Sequence, residues 1–197
     1  MQHDASENRD DLRAAKLIYL TGPSGSGKDS VIEAARATLA AYGICIARRV
    51  ITRSAEALGE QAHGVSDNEF NGLREEGAFA MHWLANGLAY GIPAQIDTWL
   101  NAGHPVLVNG SRGYLAEARI RYPDLVAIRI DVAPAVLRSR LHERGRESAE
   151  EIEDRMRRNA QLQGQNDVGV RTLDNSESLQ ATVTAFVELL REEGVIA

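Results

Sequence analysis

Cysteine is nearly missing from this chain. Cys45 is the only one in 197 residues, which excludes an internal disulfide. Its place in the apolar run GICIA reads as a small buried hydrophobe rather than a reactive thiol. No apolar run approaches the ~18 residues that a membrane-crossing helix needs, and residues 1–15 lack the apolar core of a secretory signal. The expectation is a frayed polar leader over 1–15 on a cytoplasmic protein with no membrane partner. A basic excess is missing as well: the net charge is −6, which argues against a nucleic-acid partner but not against a small polyanion. Lysine is scarce, with only Lys16 and Lys28 against twenty arginines. Arginine's planar fork grips phosphate oxygens in pairs, although genome composition produces the same bias.

What is present is ordinary globular material, 44% hydrophobic and 25% charged, at a length that suits one domain. The run LIYLTG (17–22) predicts a buried strand, and Val31, Ile32, Ala35 and Leu39 predict a helix over 29–42 that stops at Gly43. ICIARRVI (44–51) predicts a second strand. Residues 52–66 read as a loop, 67–77 as a short helix, and AFAMHW and LAY as two strands around Asn86-Gly87. An amphipathic stretch over 93–102 follows, then strands at 105–110 and 125–132 with a helix between them. Helices at 134–142 and 149–162, a strand at 170–175 and a closing helix at 178–193 complete the chain. Ser148, with Glu151 three residues later, predicts a capping box on the 149–162 helix. Strands alternating with helices imply an α/β fold, a mostly parallel sheet with helices on both faces. The segment 52–92 breaks the alternation and is expected to form a small acceptor-binding lobe over the carboxyl ends of the strands. Residues 16–197 are thus expected to be a single domain.

The strongest chemical signal is Gly22-Pro23-Ser24-Gly25-Ser26-Gly27-Lys28-Asp29, placed between an apolar strand and an amphipathic helix. It has the spacing of a P-loop, in which backbone N–H groups and a helix N-terminus cradle phosphates while the lysine reaches the β and γ groups. ATP is the implied ligand, held by residues 22–30. One position departs from the pattern. Where the motif has Ser or Thr to bind Mg²⁺, this chain has Asp29, and the hydroxyl follows at Ser30. A carboxylate is a hard oxygen ligand for Mg²⁺; the alternative is that Asp29 caps the helix.

GPSGSGKDS, ARRVITRS, FAMHWLANGLAYGIP and LVNGSRGYL together resemble the ribose 1,5-bisphosphate phosphokinases, P-loop kinases of phosphonate breakdown with a guanylate-kinase-like fold. The resemblance runs from about Lys16 to the last helix. It implies transfer of the γ-phosphoryl of ATP to the 1-phosphate of ribose 1,5-bisphosphate, giving 5-phosphoribosyl 1-diphosphate. Guanylate kinase, or another nucleoside monophosphate kinase, is the alternative. The chain keeps Thr52-Arg53, Gly59-Glu60, Phe79, Trp83 and Tyr90-Gly91 of the guanylate kinase pattern. It lacks that pattern's second arginine and its phosphate-binding tyrosine, and it has His82 where the guanine-reading Glu stands. A non-catalytic guanylate-kinase-like binding module is a third reading, and retention of Gly22, Gly27 and Lys28 argues against it.

On the acceptor side, Arg49 and Arg53 are expected to clamp a phosphate, with Arg48 turned to the other face by strand alternation. Tyr90 either donates to that phosphate or packs inside; His82 either bonds a sugar hydroxyl or is a satisfied, partly buried histidine. Asn109 ends a strand where such kinases often place an acid, and Asn109, Ser111 and Arg112 are candidates for ribose, metal-water or phosphate contacts. A phosphate acceptor has a second pKa of ~6 and needs no general base. Residues 137–159 resemble the lid of related kinases. Arg144 and Arg155 match lid positions that meet the transferring phosphate, and Arg140 is a weaker match. Arg146 stands where guanylate kinases show Thr. Asp174-Asn175 is a candidate for the adenine side.

Overall fold

The computed structural model describes residues 15–52, 62–145, 147–161 and 168–197. Arg53, Gly59, Glu60, Arg146 and all but the last residue of the expected leader fall outside them. Five strands form one parallel sheet: β1 (Leu17–Thr21), β2 (Cys45–Ile46), β7 (Val106–Asn109), β8 (Val126–Asp131) and β9 (Val170–Asp174). Their order is β2-β7-β1-β8-β9, so the phosphate-loop strand lies in the middle. Four more strands form a second, mixed sheet in the order β4-β3-β6-β5: β3 (Arg49–Ile51), β4 (Ala62–Gly64), β5 (Phe79–Ala85) and β6 (Leu88–Pro93). The helix α2 (Asp67–Glu75) belongs to this lobe and starts from a Ser66/Glu69 capping box.

Alternation along β1 sets the layers. Ile18 and Leu20 face one side, where they pack with α1 (Lys28–Ala41) and α7 (Leu179–Glu192) through Val31, Leu39, Phe186 and Leu190. Leu17 and Tyr19 face the other, among Ile96 of α3 (Gln95–Asn101), Leu115 and Ala118 of α4 (Leu115–Arg121), and Met81 and Ile92 of the lobe. The helices α5 (Pro134–Arg144) and α6 (Ala149–Gln161) join through Leu137, Leu141 and Ile152 in a separate small core. The predicted capping box on α6 is present: Ser148 N–H donates to Glu151 Oε2 at 2.7 Å, and Glu151 N–H donates to Ser148 Oγ at 3.3 Å. No helix among the described residues is long and apolar enough to cross a membrane.

One expected element divides. The run 44–51 is two strands in different sheets, because the chain leaves the parallel sheet after Ala47, whose N–H donates to Leu107 C=O at 2.9 Å. The second sheet therefore begins at Arg49, ahead of the expected start at residue 52. Cys45 is partly buried, at the edge of the core rather than within it.

Phe186 is fully buried in the layer between the sheet and α1. Phe186→Ala is expected to lower stability by ~3–5 kcal/mol through lost burial and an unfilled cavity. Urea unfolding followed by circular dichroism checks the value.

Candidate active site

The carboxyl ends of the parallel strands open into a cavity of about 870 Å³. Its walls carry the phosphate loop, Lys28, Asp29, Ser30, Arg49, Tyr90, Arg112 and Arg144, with Arg140 beside them. Sheet order divides this space. On one side of β1 lie β7 and the lobe, which contribute Arg112, Arg49, Tyr90 and Trp83. On the other lie β8 and β9 with the segments that follow them, contributing Arg140, Arg144, Asn175 and Leu179.

The phosphate loop is shaped by positive-φ backbone at Gly25 (90°) and Gly27 (86°). A Cβ on Gly27 would also come within 2.6 Å of Asn175 Nδ2. That amide explains the crowding: Asn175 is 3% exposed and donates to Ser26 C=O at 2.7 Å, while its own Oδ1 accepts from Thr182 Oγ1 at 2.9 Å. Asn175 thus props the loop from beneath, with both ends of its amide used on protein. Asp174 is exposed, and its Oδ1 accepts from the Ser176 backbone N–H and hydroxyl. Lys28 Nζ lies over the loop and donates to the carbonyls of Gly22 at 2.8 Å and Pro23 at 3.0 Å.

Asp29 makes no side-chain cap; the helix N-cap is Gly27. Its Oδ1 accepts from Asn109 Nδ2 at 2.8 Å and lies 3.8 Å from Arg49 Nη2. The carboxylate is 39% exposed, at the cavity wall. Asn109 is 5% exposed and stands behind Asp29 rather than on the wall, with its Oδ1 buried and lacking a hydrogen bond. Among the described residues no cluster of three or more His, Cys, Asp or Glu could hold a metal by itself. Asp29 and Glu143 are the carboxylates on the wall, and Asp29, next to Lys28 in the phosphate loop, is the hard-oxygen donor placed to fit a Mg²⁺ carried in on phosphates.

Arg49 is 9% exposed, and its guanidinium lies 5.5 Å from the Tyr90 ring centroid. Burial of that charge is offset by Asp29 and by the face of the ring. Trp83 stacks on Tyr90 with ring centroids 5.6 Å apart and planes 4° from parallel, and it also meets Tyr114 at 5.6 Å. Arg48 is exposed, donates to Ala62 C=O at 3.1 Å and is not on the cavity wall; it lies between β2 and β3 rather than within a strand. Alternation along β5 moves His82 off the site. Trp83 and Ala85 line the cavity, so His82 between strand neighbours of the opposite parity projects outward and is exposed. It neither faces substrate space nor is partly buried.

Between α5 and α6, Arg155 Nη2 meets Glu147 Oε1 at 2.5 Å, and Arg144 Nη2 lies 3.7 Å from the same oxygen. Arg144 is on the cavity wall and Arg155 is not. Arg140 has a buried Nη1 without a hydrogen bond near Gly27. Arg112 Nη2 donates to Asn159 Oδ1 on α6 at 3.0 Å. Sequence reasoning missed Glu147 and Asn159, whose partners Arg144, Arg155 and Arg112 lie on other elements, and the structure places Arg140, a weaker match, on the cavity wall. It also left Trp83 and Tyr114 without a place at the site.

No protein-family model matches the chain. Curated relatives do. The ribose 1,5-bisphosphate phosphokinase PhnN of Pseudomonas paraeruginosa is 59% identical over 175 residues, 89% of this chain and 95% of the relative. That of Azotobacter vinelandii is 58% identical over 177 residues, 90% and 96% of the two chains. Among solved structures, a guanylate kinase from Anaplasma phagocytophilum matches with a TM-score of 0.66 at 19% identity, over 93% of this chain and 89% of its own. A sugar kinase from Janibacter matches at 0.51 and 17% identity, over 93% and 99%. The fold is guanylate-kinase-like, and at this identity over nearly the whole length of its relatives the chain belongs to the ribose 1,5-bisphosphate phosphokinase family.

Proposed function

We propose that this kinase transfers the γ-phosphoryl of ATP to the 1-phosphate of ribose 1,5-bisphosphate, releasing ADP and 5-phosphoribosyl 1-diphosphate. The observation that carries the reading is the convergence of the phosphate loop with Arg49, Arg112 and Arg144 on one cavity. Guanylate kinase activity is not favoured, since the relatives at 59% and 58% identity are ribose 1,5-bisphosphate phosphokinases and the guanylate kinase likeness extends to the fold alone.

An oxygen of the acceptor 1-phosphate attacks the γ-phosphorus, and the bond from that phosphorus to the β–γ bridging oxygen breaks. The acceptor's second pKa is ~6, so the attacking oxygen is anionic at neutral pH and no protein base has to remove a proton. The protein's work is to hold two polyanions in line and neutralise the charge between them. Lys28 follows the β and γ phosphates as a mobile cation. The loop amides from Gly22 to Ser30 hold the nucleotide. Arg49 and Arg112 grip the acceptor together with Tyr90, which lines the same cavity, and Arg53 joins them in this proposal. Arg144 and Arg155, brought together on Glu147, stabilise the moving group when the lid closes. Asp29, beside Lys28 on the cavity wall, would hold a Mg²⁺ brought in with the nucleotide, and the ion would supply further neutralisation of phosphate charge. The partner is a small phosphorylated sugar; consumption of ATP supports a cytoplasmic setting, and the net charge of −6 supports a small polyanion rather than nucleic acid as the ligand.

Initial rates at fixed ATP and Mg²⁺ test the reading. Ribose 1,5-bisphosphate is expected to show a kcat/KM orders of magnitude above that for GMP; a preference for GMP overturns the proposal. Lys28→Ala is expected to lower kcat by roughly two to three powers of ten with an unchanged circular dichroism spectrum. Asp29→Asn is expected to raise the Mg²⁺ concentration needed for half-maximal rate more than it raises the KM for ATP. A magnesium titration identical to wild type would remove Asp29 from the metal's coordination.

A further inference from the structure

Tyr19 is an odd residue for its position. It lies in the central strand of the sheet, fully buried, yet it carries a hydroxyl into an apolar layer. That hydroxyl makes two bonds to a single residue: it donates to Ser111 C=O at 3.0 Å and accepts from Ser111 N–H at 3.0 Å. Burial raises the phenol pKa above the usual tyrosine range, so the group keeps its proton and serves as donor and acceptor together. Its ring occupies the place where a side chain at residue 110 would go. A Cβ on Gly110 would fall 2.2 Å from Tyr19 Cζ, a contact that no local adjustment relieves. Gly110 N–H also donates to Leu20 C=O at 2.8 Å, so the neighbouring strand grips the loop at two successive residues.

The loop held in this way carries Gly110, Ser111, Arg112 and Gly113, all on the cavity wall. It follows β7, on the lobe side of the phosphate-loop strand, where Trp83 meets Tyr114 at 5.6 Å. The nucleotide side, with Arg140 and Asn175, follows β8 and β9 across the sheet. A strut under this loop therefore acts on one ligand and not on both.

We propose that Tyr19 is a positioning residue for the acceptor: its hydroxyl fixes the loop that follows β7 and so aims Arg112 at the acceptor phosphate. The inference rests on the phosphoryl-transfer reading above and adds a residue that touches neither ligand. Tyr19→Phe keeps the ring, and with it the packing against Gly110, and removes only the two hydrogen bonds. The expected result is a KM for ribose 1,5-bisphosphate raised about tenfold, with kcat and the KM for ATP within about twofold of wild type. Added to Arg112→Ala, the same change is expected to have no further effect on the acceptor KM, because Tyr19 acts through Arg112. Backbone hydrogen exchange at Ser111 and Arg112 is expected to quicken in Tyr19→Phe, a readout independent of turnover. An unchanged acceptor KM in an active Tyr19→Phe enzyme, whatever its melting temperature, reduces the tyrosine to a structural part and overturns the inference. Equal rises in both KM values, or full additivity with Arg112→Ala, overturn it as well. A wild-type enzyme that turns over GMP but not ribose 1,5-bisphosphate overturns the functional reading and the inference with it.

Discussion

Two phosphate groups that are both anionic at neutral pH repel one another, and the proposed reaction must bring them to bonding distance. Almost every feature of the cavity answers that constraint. Lys28, Arg49, Arg112, Arg140 and Arg144 converge on one space. So many cations cannot be held together without counter-charges of their own, and the structure supplies them at chosen points. Asp29 lies 3.8 Å from Arg49, and Glu147 stands between Arg144 and Arg155. These carboxylates keep the guanidinium groups ordered before any phosphate arrives, so less ordering remains to be done on binding.

The fold serves the same end through strand order. With β1 central, the phosphate loop leaves the middle of the sheet, the loop that carries Arg112 leaves β7 on one side, and α5 and α6 follow β8 on the other. Buried polar struts tie these loops to rigid elements: Asn175 supports Ser26 from below, and Tyr19 grips Ser111. Each strut is matched to a glycine that makes room for it, Gly27 for Asn175 and Gly110 for Tyr19. Catalytic loops gain precision when their supports are fixed by packing as well as by hydrogen bonds.

Much of this was legible in the residues. The alternation of short apolar runs with amphipathic helices marked the parallel sheet, and the glycine spacing before Lys28 marked the turn from β1 into α1. The run 44–51 was opaque, because apolar periodicity cannot show that Ile46 and Arg49 pair within different sheets. His82 was misplaced for a reason the sequence did contain: alternation along the predicted strand separates His82 from Trp83. Asn175 and Tyr19 were hidden in another way. A lone polar residue at the end of a strand, or a tyrosine within one, reads as binding group or core filler until the distant carbonyl it holds is known.

The central claim is that a phosphate, and not a hydroxyl, receives the γ-phosphoryl group. Phosphorus NMR of the enzyme with ATP and ribose 1,5-bisphosphate tests it directly. The account predicts a second pair of mutually coupled diphosphate resonances beside those of ADP, with the 5-phosphate monoester signal unchanged. A new monoester signal, or inorganic phosphate alone, would contradict it.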